Sequence, residues 1–162
     1  MNTTIDIKKY LPHRKPMLMV DLILTMDAEK VVTVFNINEN NIFIQDNIFV
    51  EAGLIENAAQ TCSSIVAKDY FVDENNRDKE DVDVIGFISA LKTLKIYGLP
   101  KVGTSITTKA TLASKFITES YTLCTMNCQT FDKEQLLLEG EINLFIQQNL
   151  KALSPNKQRI DF

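Results

Sequence analysis

The chain of 162 residues is long enough for one domain with a core of its own. Its 45% hydrophobic and 23% charged residues are ordinary for a globular protein. A net charge of −4, from 17 Lys and Arg against 21 Asp and Glu, argues against a dedicated nucleic-acid binder, which carries a basic surplus. No apolar run approaches the roughly 20 residues needed to cross a bilayer, and the opening MNTTIDIKKYLPHR lacks the apolar stretch of a secretory signal. A cytoplasmic protein with no membrane span is expected.

In chain order, residues 5–11 read as a short helix that must stop near Pro12, whose ring disfavours helical geometry at Leu11. Residues 17–24 form an apolar run, and residues 30–37 alternate, with Val31, Thr33, Phe35 and Ile37 on one side and Val32, Val34 and Asn36 on the other. Two strands around a turn at residues 26–29 fit this pattern. Residues 50–70 make the one long helix, because Ile55, Ala58, Ala59, Cys62, Ile65 and Val66 recur at three- and four-residue spacing. The alanines in that stripe let the helix sit close against a sheet. Residues 73–83 are polar and mostly acidic, hence a solvated loop. Strands then follow at 84–97 (with a break allowed for), 104–116, 120–130 and 136–146, punctuated by Gly98, Pro100, Gly103 and the Asp132–Lys133 pair. Residues 1–150 are taken as a single domain and 151–162 as a loosely held tail.

Cys62, Cys124 and Cys128 lack the paired close spacing of a zinc site. Cys124 and Cys128, four apart in a strand, point to one face about 13 Å apart at roughly 3.3 Å per residue, too far for a bridge. Buried free thiols are expected, with no metal and no organic cofactor. A strand hairpin, one helix and an antiparallel meander give an α+β fold, a curved antiparallel sheet wrapped around one long central helix. Such a sheet leaves an edge strand or an apolar back exposed, and dimerisation through that edge would cover it.

The stretch Leu11-Pro12-His13-Arg14-Lys15-Pro16-Met17-Leu18-Met19-Val20-Asp21 resembles the opening of the 3-hydroxyacyl-acyl-carrier-protein dehydratases of fatty-acid synthesis. Leu54-Ile55-Glu56-Asn57-Ala58-Ala59-Gln60 resembles their Leu-Glu-Ala-Met-Ala-Gln helix, and Gly86 and Pro100-Lys101-Val102-Gly103 match further positions. The resemblance implies a hot-dog fold and an acyl thioester bound along the central helix. Family members place a His-Phe-Pro-Gly segment just before that helix, and its histidine is the catalytic base. Here Phe43-Ile44-Gln45-Asp46-Asn47-Ile48-Phe49 runs into the helix with no His, Pro or Gly. In lacking that base the chain is similar to the divergent dehydratase-like proteins of aryl-polyene and flexirubin pigment pathways, which occur beside a second, more conventional hot-dog subunit.

Eliminating water from a 3-hydroxyacyl thioester needs a base for the α-proton, an acid for the departing β-hydroxyl, and donors for the thioester carbonyl. Glu56 fits the family's acid position at the border of the apolar stripe, where partial desolvation raises a carboxyl pKa; an exposed helix glutamate is the plain alternative. Gln60, one turn on, either orients Glu56 through a hydrogen bond or faces solvent. Ala52 and Gly53 occupy the first turn, where free N–H groups favour negative charge; Gly53 either admits the thioester or only marks a loose helix start. His13, the only histidine, is the remaining candidate base, set against a purely local backbone role. Glu51 offers a further carboxylate or a helix-dipole charge.

Lys92, Lys95, Arg14, Lys15 and Lys101 either form a basic rim for an acidic carrier or are scattered solvated lysines. The implied partners are an acyl carrier protein with a phosphopantetheine-linked acyl chain and a second hot-dog subunit, as a homodimer or a heterodimer. The alternatives are a non-catalytic structural partner and an acyl thioesterase, which uses a helix carboxylate and no histidine.

Overall fold

The computed structural model describes residues 5–71, 73–75, 77–79 and 82–148. The expected tail at 151–162 lies outside the described residues. Strands β1 (Leu22–Met26) and β2 (Lys30–Asn36), short strands β3 (Ile44–Gln45) and β4 (Ile48–Phe49), helix α1 (Glu51–Phe71), and long strands β5 (Val84–Ile96), β6 (Ser105–Ile117), β7 (Thr122–Asp132) and β8 (Gln135–Gln148) follow one another. Six strands form one sheet in the order β1-β2-β6-β7-β8-β5, antiparallel throughout. Helix α1 packs against β2 and β5 to β8, so the sheet curls around it as a hot-dog fold.

Alternation decides which face meets the helix. Val31, Thr33, Phe35 and Ile37 are buried, whereas Val32 and Val34 on the opposite face are only partly covered. Ala58, Ala59, Cys62, Ile65 and Val66 are buried as their spacing predicts, with Ile55 half-buried at the margin. Strand β5 is continuous but carries irregularities between Ile88 and Ala90 and between Lys92 and Lys95, the second at Thr93, whose φ is 48°. It is a bulged strand rather than a broken one.

Three local expectations shift. The N-terminal helix shrinks to a single 3-10 turn, Ile7–Lys9, capped by the Asp6 side chain. The apolar run of residues 17–24 becomes strand only from Leu22. Before that, helix side chains take backbone groups of Met17 and Met19, as described below, and the first bond to β2 is from Asp21 N–H to the Val34 carbonyl at 3.0 Å. Third, residues 43–50 contain a two-residue hairpin in place of a plain entry to the helix. Asp46 (φ 50°) and Asn47 (φ 64°) are both left-handed, as a type I′ turn requires, and Asx residues accept that conformation best after glycine.

The outer face carries an apolar row in register across four strands. Phe116 pairs with Leu123, Leu123 with Phe145, and Phe145 with Phe87. Phe145 stacks on Phe87 at 4.9 Å and on Tyr121 at 5.1 Å, both at 22°. Phe116 and Phe87 remain 62% and 52% exposed. Strand β5, at the sheet edge, adds exposed Ile85, Leu91 and nearby Tyr97.

Candidate active site between the helix and the 11–21 segment

Two segments enclose the first turns of α1. The first is the β3–β4 hairpin. It docks on the turn at 100–103: Phe49 N–H donates to the Pro100 carbonyl (2.9 Å) and Val102 N–H donates to the Asn47 carbonyl (3.1 Å), while Gly103 N–H ties the turn to the Ile37 carbonyl just past β2 (2.8 Å). Gly103 has φ 88°, a conformation that strains any residue with a Cβ. Phe49 is fully buried and meets Phe35 at 5.7 Å and Phe43 edge-on at 6.4 Å. Gly53 is shaped by this packing, since a Cβ there would lie 2.5 Å from the Phe49 ring and 2.6 Å from Phe43 Cβ. Its amide donates to the Val50 carbonyl at 3.0 Å. The close approach that Gly53 permits is therefore taken by the protein's own aromatic rings, and its N–H is not a free donor. Ala52, one residue earlier, is exposed.

The second segment, residues 11–21, is held by side chains reaching out of the helix. Gln60 Oε1 accepts the Met19 N–H (2.8 Å), and Gln60 Nε2 donates to the Met17 carbonyl (2.7 Å) and to Glu56 Oε1 (2.7 Å). Asn57 Nδ2 donates to the Met19 carbonyl at 2.6 Å. Gln60 and Asn57 are both buried. Between them they bond both polar groups of Met19, which explains why that residue needs no strand partner. Arg14 closes the segment on itself, donating to the carbonyls of Leu11 and His13 at 2.8 Å each.

This arrangement brings His13 to Glu56. Nε2 of His13 lies 3.7 Å from Glu56 Oε1, with the side chains 26% and 23% exposed. That separation is too long for a hydrogen bond, so the two groups lie in van der Waals contact and the imidazole feels Glu56 through its charge. Burial pulls the His13 pKa below its ordinary value, and the neighbouring Arg14 charge adds to this; Glu56 opposes both. His13 is accordingly the neutral imidazole at neutral pH, the form able to accept a proton. Its Nδ1 is buried with no hydrogen-bond partner among the described residues, whereas Nε2 faces Glu56.

Of the sequence candidates, Glu56, His13 and Gln60 come together, whereas Ala52 and Gly53 sit at the helix start by the hairpin. Lys92 of the supposed basic rim pairs with Glu141 at 3.1 Å. Lys15 instead joins Pro16, Leu18, Asp21, Phe35, Asn38, Asn40 and Asn41 around a cleft of about 410 Å³. Sequence reasoning missed Asn57, the one polar residue inside the Glu56–Gln60 motif, whose spacing places it among the buried positions.

The chain matches the family of ApeP-like dehydratases, described as ApeP dehydratase, over residues 5–154. It belongs to that family. Among curated relatives it is 32% identical over 84 residues to the 3-hydroxyacyl-[acyl-carrier-protein] dehydratase FabZ of Coxiella burnetii, covering 48% of this chain and 58% of that protein. It is 36% identical over 75 residues to FabZ of Petrotoga mobilis, covering 43% and 52%. The chain thus spans little more than half the length of the curated relatives it matches. Among solved structures, the dehydratase heterocomplex ApeI:P from Xenorhabdus doucetiae superposes with a TM-score of 0.72 at 14% identity, covering 91% of this chain and 93% of that one. A hypothetical thioesterase with coenzyme A from Streptococcus pneumoniae reaches 0.54 at 12% identity, covering 78% and 85%. These two likenesses show the hot-dog fold, and the family match adds a dehydratase-like protein of the kind found in aryl-polyene pathways.

Proposed function

We propose that this chain binds a 3-hydroxyacyl thioester delivered by an acyl carrier protein in the cytoplasm, and that His13 and Glu56 act on it as base and acid. The observation that carries the reading is the 3.7 Å approach of His13 Nε2 to Glu56 Oε1 within a family of dehydratases. In the elimination, His13 Nε2 takes the α-proton, the β-carbon–oxygen bond breaks, and Glu56 gives its proton to the departing hydroxyl, leaving an enoyl thioester and water. Gln60 donates to one Glu56 oxygen, which leaves the other for contact with the departing hydroxyl. The cleft beside the segment offers three asparagine amides and Lys15, which suit the amides and phosphate of a carrier's phosphopantetheine arm.

A second hot-dog subunit is part of the reading. Edge strand β5 and the Phe116–Leu123–Phe145–Phe87 row present apolar surface in register, the kind that partner subunits cover, and a relative of this fold is described as a heterocomplex.

The test is turnover of 3-hydroxyacyl carrier protein by the full chain, alone and with a hot-dog partner. Glu56→Gln should lower dehydration by on the order of 10²–10⁴-fold with assembly unchanged. Unchanged turnover in that variant would remove Glu56 from the chemistry. Release of free carrier thiol from the same substrate would replace dehydration with thioester hydrolysis.

A further inference from the structure

The interior of α1 is less apolar than its alanine stripe implies. Asn57, Thr61 and Ser64 are fully buried on it, and the sheet answers with Thr33, Thr108 and Thr130, also fully buried. These three threonines form one row, since Thr33 pairs with Thr108 across β2–β6 and Thr108 with Thr130 across β6–β7. Thr33 and Thr61 share a hydrogen bond of 2.7 Å. Thr108 Oγ1 donates to Asn57 Oδ1 at 2.6 Å and lies 2.9 Å from Thr130 Oγ1.

The donors and acceptors leave only one direction for this chain of bonds. The Met19 carbonyl can only accept, so Asn57 must present Nδ2 to it and Oδ1 to Thr108. Thr108 has a single hydroxyl hydrogen, and giving it to Asn57 leaves Thr130 as the donor between the two threonines. On the far side of Met19, the N–H is committed to Gln60 Oε1, which fixes Gln60 Nε2 on Met17 and Glu56. One directed series of bonds therefore runs from the sheet interior through Asn57 to both sides of Met19 and reaches the carboxylate.

We propose that Asn57 and Thr108 are positioning residues which, through Met19, hold the segment bearing His13 in register with the helix bearing Glu56. This rests on the functional reading above. The side chains of Asn57 and Thr108 bond Met19 and each other rather than His13 or Glu56, and burying such a series without full satisfaction is costly, while an apolar side chain of similar shape would fill the same volume. A purely structural role would be served as well by leucine and valine.

The variants Thr108→Val and Thr108→Ser separate the two roles, since valine keeps the shape without the donor and serine keeps the donor with one methyl less. His13 is the only histidine in the chain, so its imidazole signals in an NMR titration need no assignment and no turnover. The charged groups facing it are Glu56 from the helix and Arg14 beside it. In Thr108→Val the segment loosens, burial of His13 relaxes, and its pKa rises toward 6.5. Dehydration falls on the order of 10- to 100-fold in kcat with KM little changed. Thr108→Ser returns both readouts to those of the natural chain within about twofold. Glu56→Gln moves the titration the other way, downward, because the carboxylate favouring the protonated imidazole is gone.

A folded Thr108→Val whose His13 titrates as in the natural chain overturns the proposal, as does Thr108→Ser failing as badly as Thr108→Val. Should Thr108→Val not fold, the compensated pair Asn57→Leu with Thr108→Val, which leaves no orphaned partner between the two sites, takes its place with the same criteria. If the natural chain turns over no hydroxyacyl substrate, the functional reading fails, and the titrations still decide whether Asn57 and Thr108 set the His13–Glu56 register.

Discussion

The two segments that flank the start of α1 are held by opposite means. The β3–β4 hairpin is fixed by a buried aromatic cluster and by backbone bonds to the 100–103 turn, and it holds no histidine. The 11–21 segment is fixed by buried amides from the helix and brings a neutral imidazole to a carboxylate. In the resembled dehydratases the histidine belongs to the segment just before the helix. Here that position has been given over to packing, and the titratable pair lies on the opposite flank. Under the proposed roles the base comes from the opposite neighbour, because the first turns of the helix present Gly53 to one segment and Glu56, Asn57 and Gln60 to the other.

The strongest way to break this contrast is by activity. His13→Asn should lower dehydration of 3-hydroxyacyl carrier protein by on the order of 10²–10⁴-fold, whereas Gln45→Ala, at an exposed hairpin position, should leave the rate within about twofold. Steady-state rates on both variants decide it. A His13 variant with full activity would show that the segment bearing it is structural on both flanks.

Much of this frame was legible in the sequence. The three- and four-residue spacing of Ala58, Ala59, Cys62, Ile65 and Val66 located the helix to within a residue at each end, and alternation placed Thr33 and Phe35 together on the face that proves to be buried. The Glu56–Gln60 hydrogen bond was legible from their one-turn spacing. Two features were not. Residues 17–19 look like strand because apolar content is all that periodicity reads, and the side chains that bond Met17 and Met19 lie some forty positions away in Gln60 and Asn57. The hairpin carries its signal only in Asp46-Asn47 between Ile44-Gln45 and Ile48-Phe49, an Asx pair able to make a type I′ turn without glycine.

Stability should separate the flanks next. Phe49→Ala empties a fully buried site and should cost about 3–5 kcal/mol in urea unfolding. Gly53→Ala forces a Cβ to within 2.6 Å of Phe49 and Phe43 and should cost about 1–3 kcal/mol by overpacking. Both changes leave the His13 titration close to that of the natural chain, because the imidazole belongs to the other flank. A shift of that titration in Phe49→Ala would join the two flanks into one unit.

The pH dependence of stability has a definite sign at the polar flank. Burial lowers the His13 pKa in the native protein, so the unfolded chain takes up a proton first as pH falls through 6.5. Native stability contributed by His13 is therefore present above that pH and declines below it, levelling off once the native imidazole is also protonated. Unfolding midpoints between pH 8 and pH 5 should fall less steeply in His13→Asn. Parallel curves would show that the imidazole has the same affinity for protons in both states.

The smallest effect concerns the helix and β7 deep inside the sheet, away from either flank. Cys62, Cys124 and Cys128 are all free and buried. Burial pushes the Cys124 thiol up to about 11, and Cys62 is raised by its hydrogen bond with Cys128 and by burial. The thiolate is the reactive form, so a disulfide reagent at pH 8 should modify neither Cys62 nor Cys124 in the native protein and all three cysteines after unfolding. Substitutions at the hairpin and at His13 should leave that protection intact, because the helix stays seated on β6 to β8 when either flank is disturbed. Exposure of Cys62 in Thr108→Val would instead show that the buried polar row holds the helix to the sheet as a whole, and the loss of catalytic register would then follow from a displaced helix rather than from a loosened 11–21 segment.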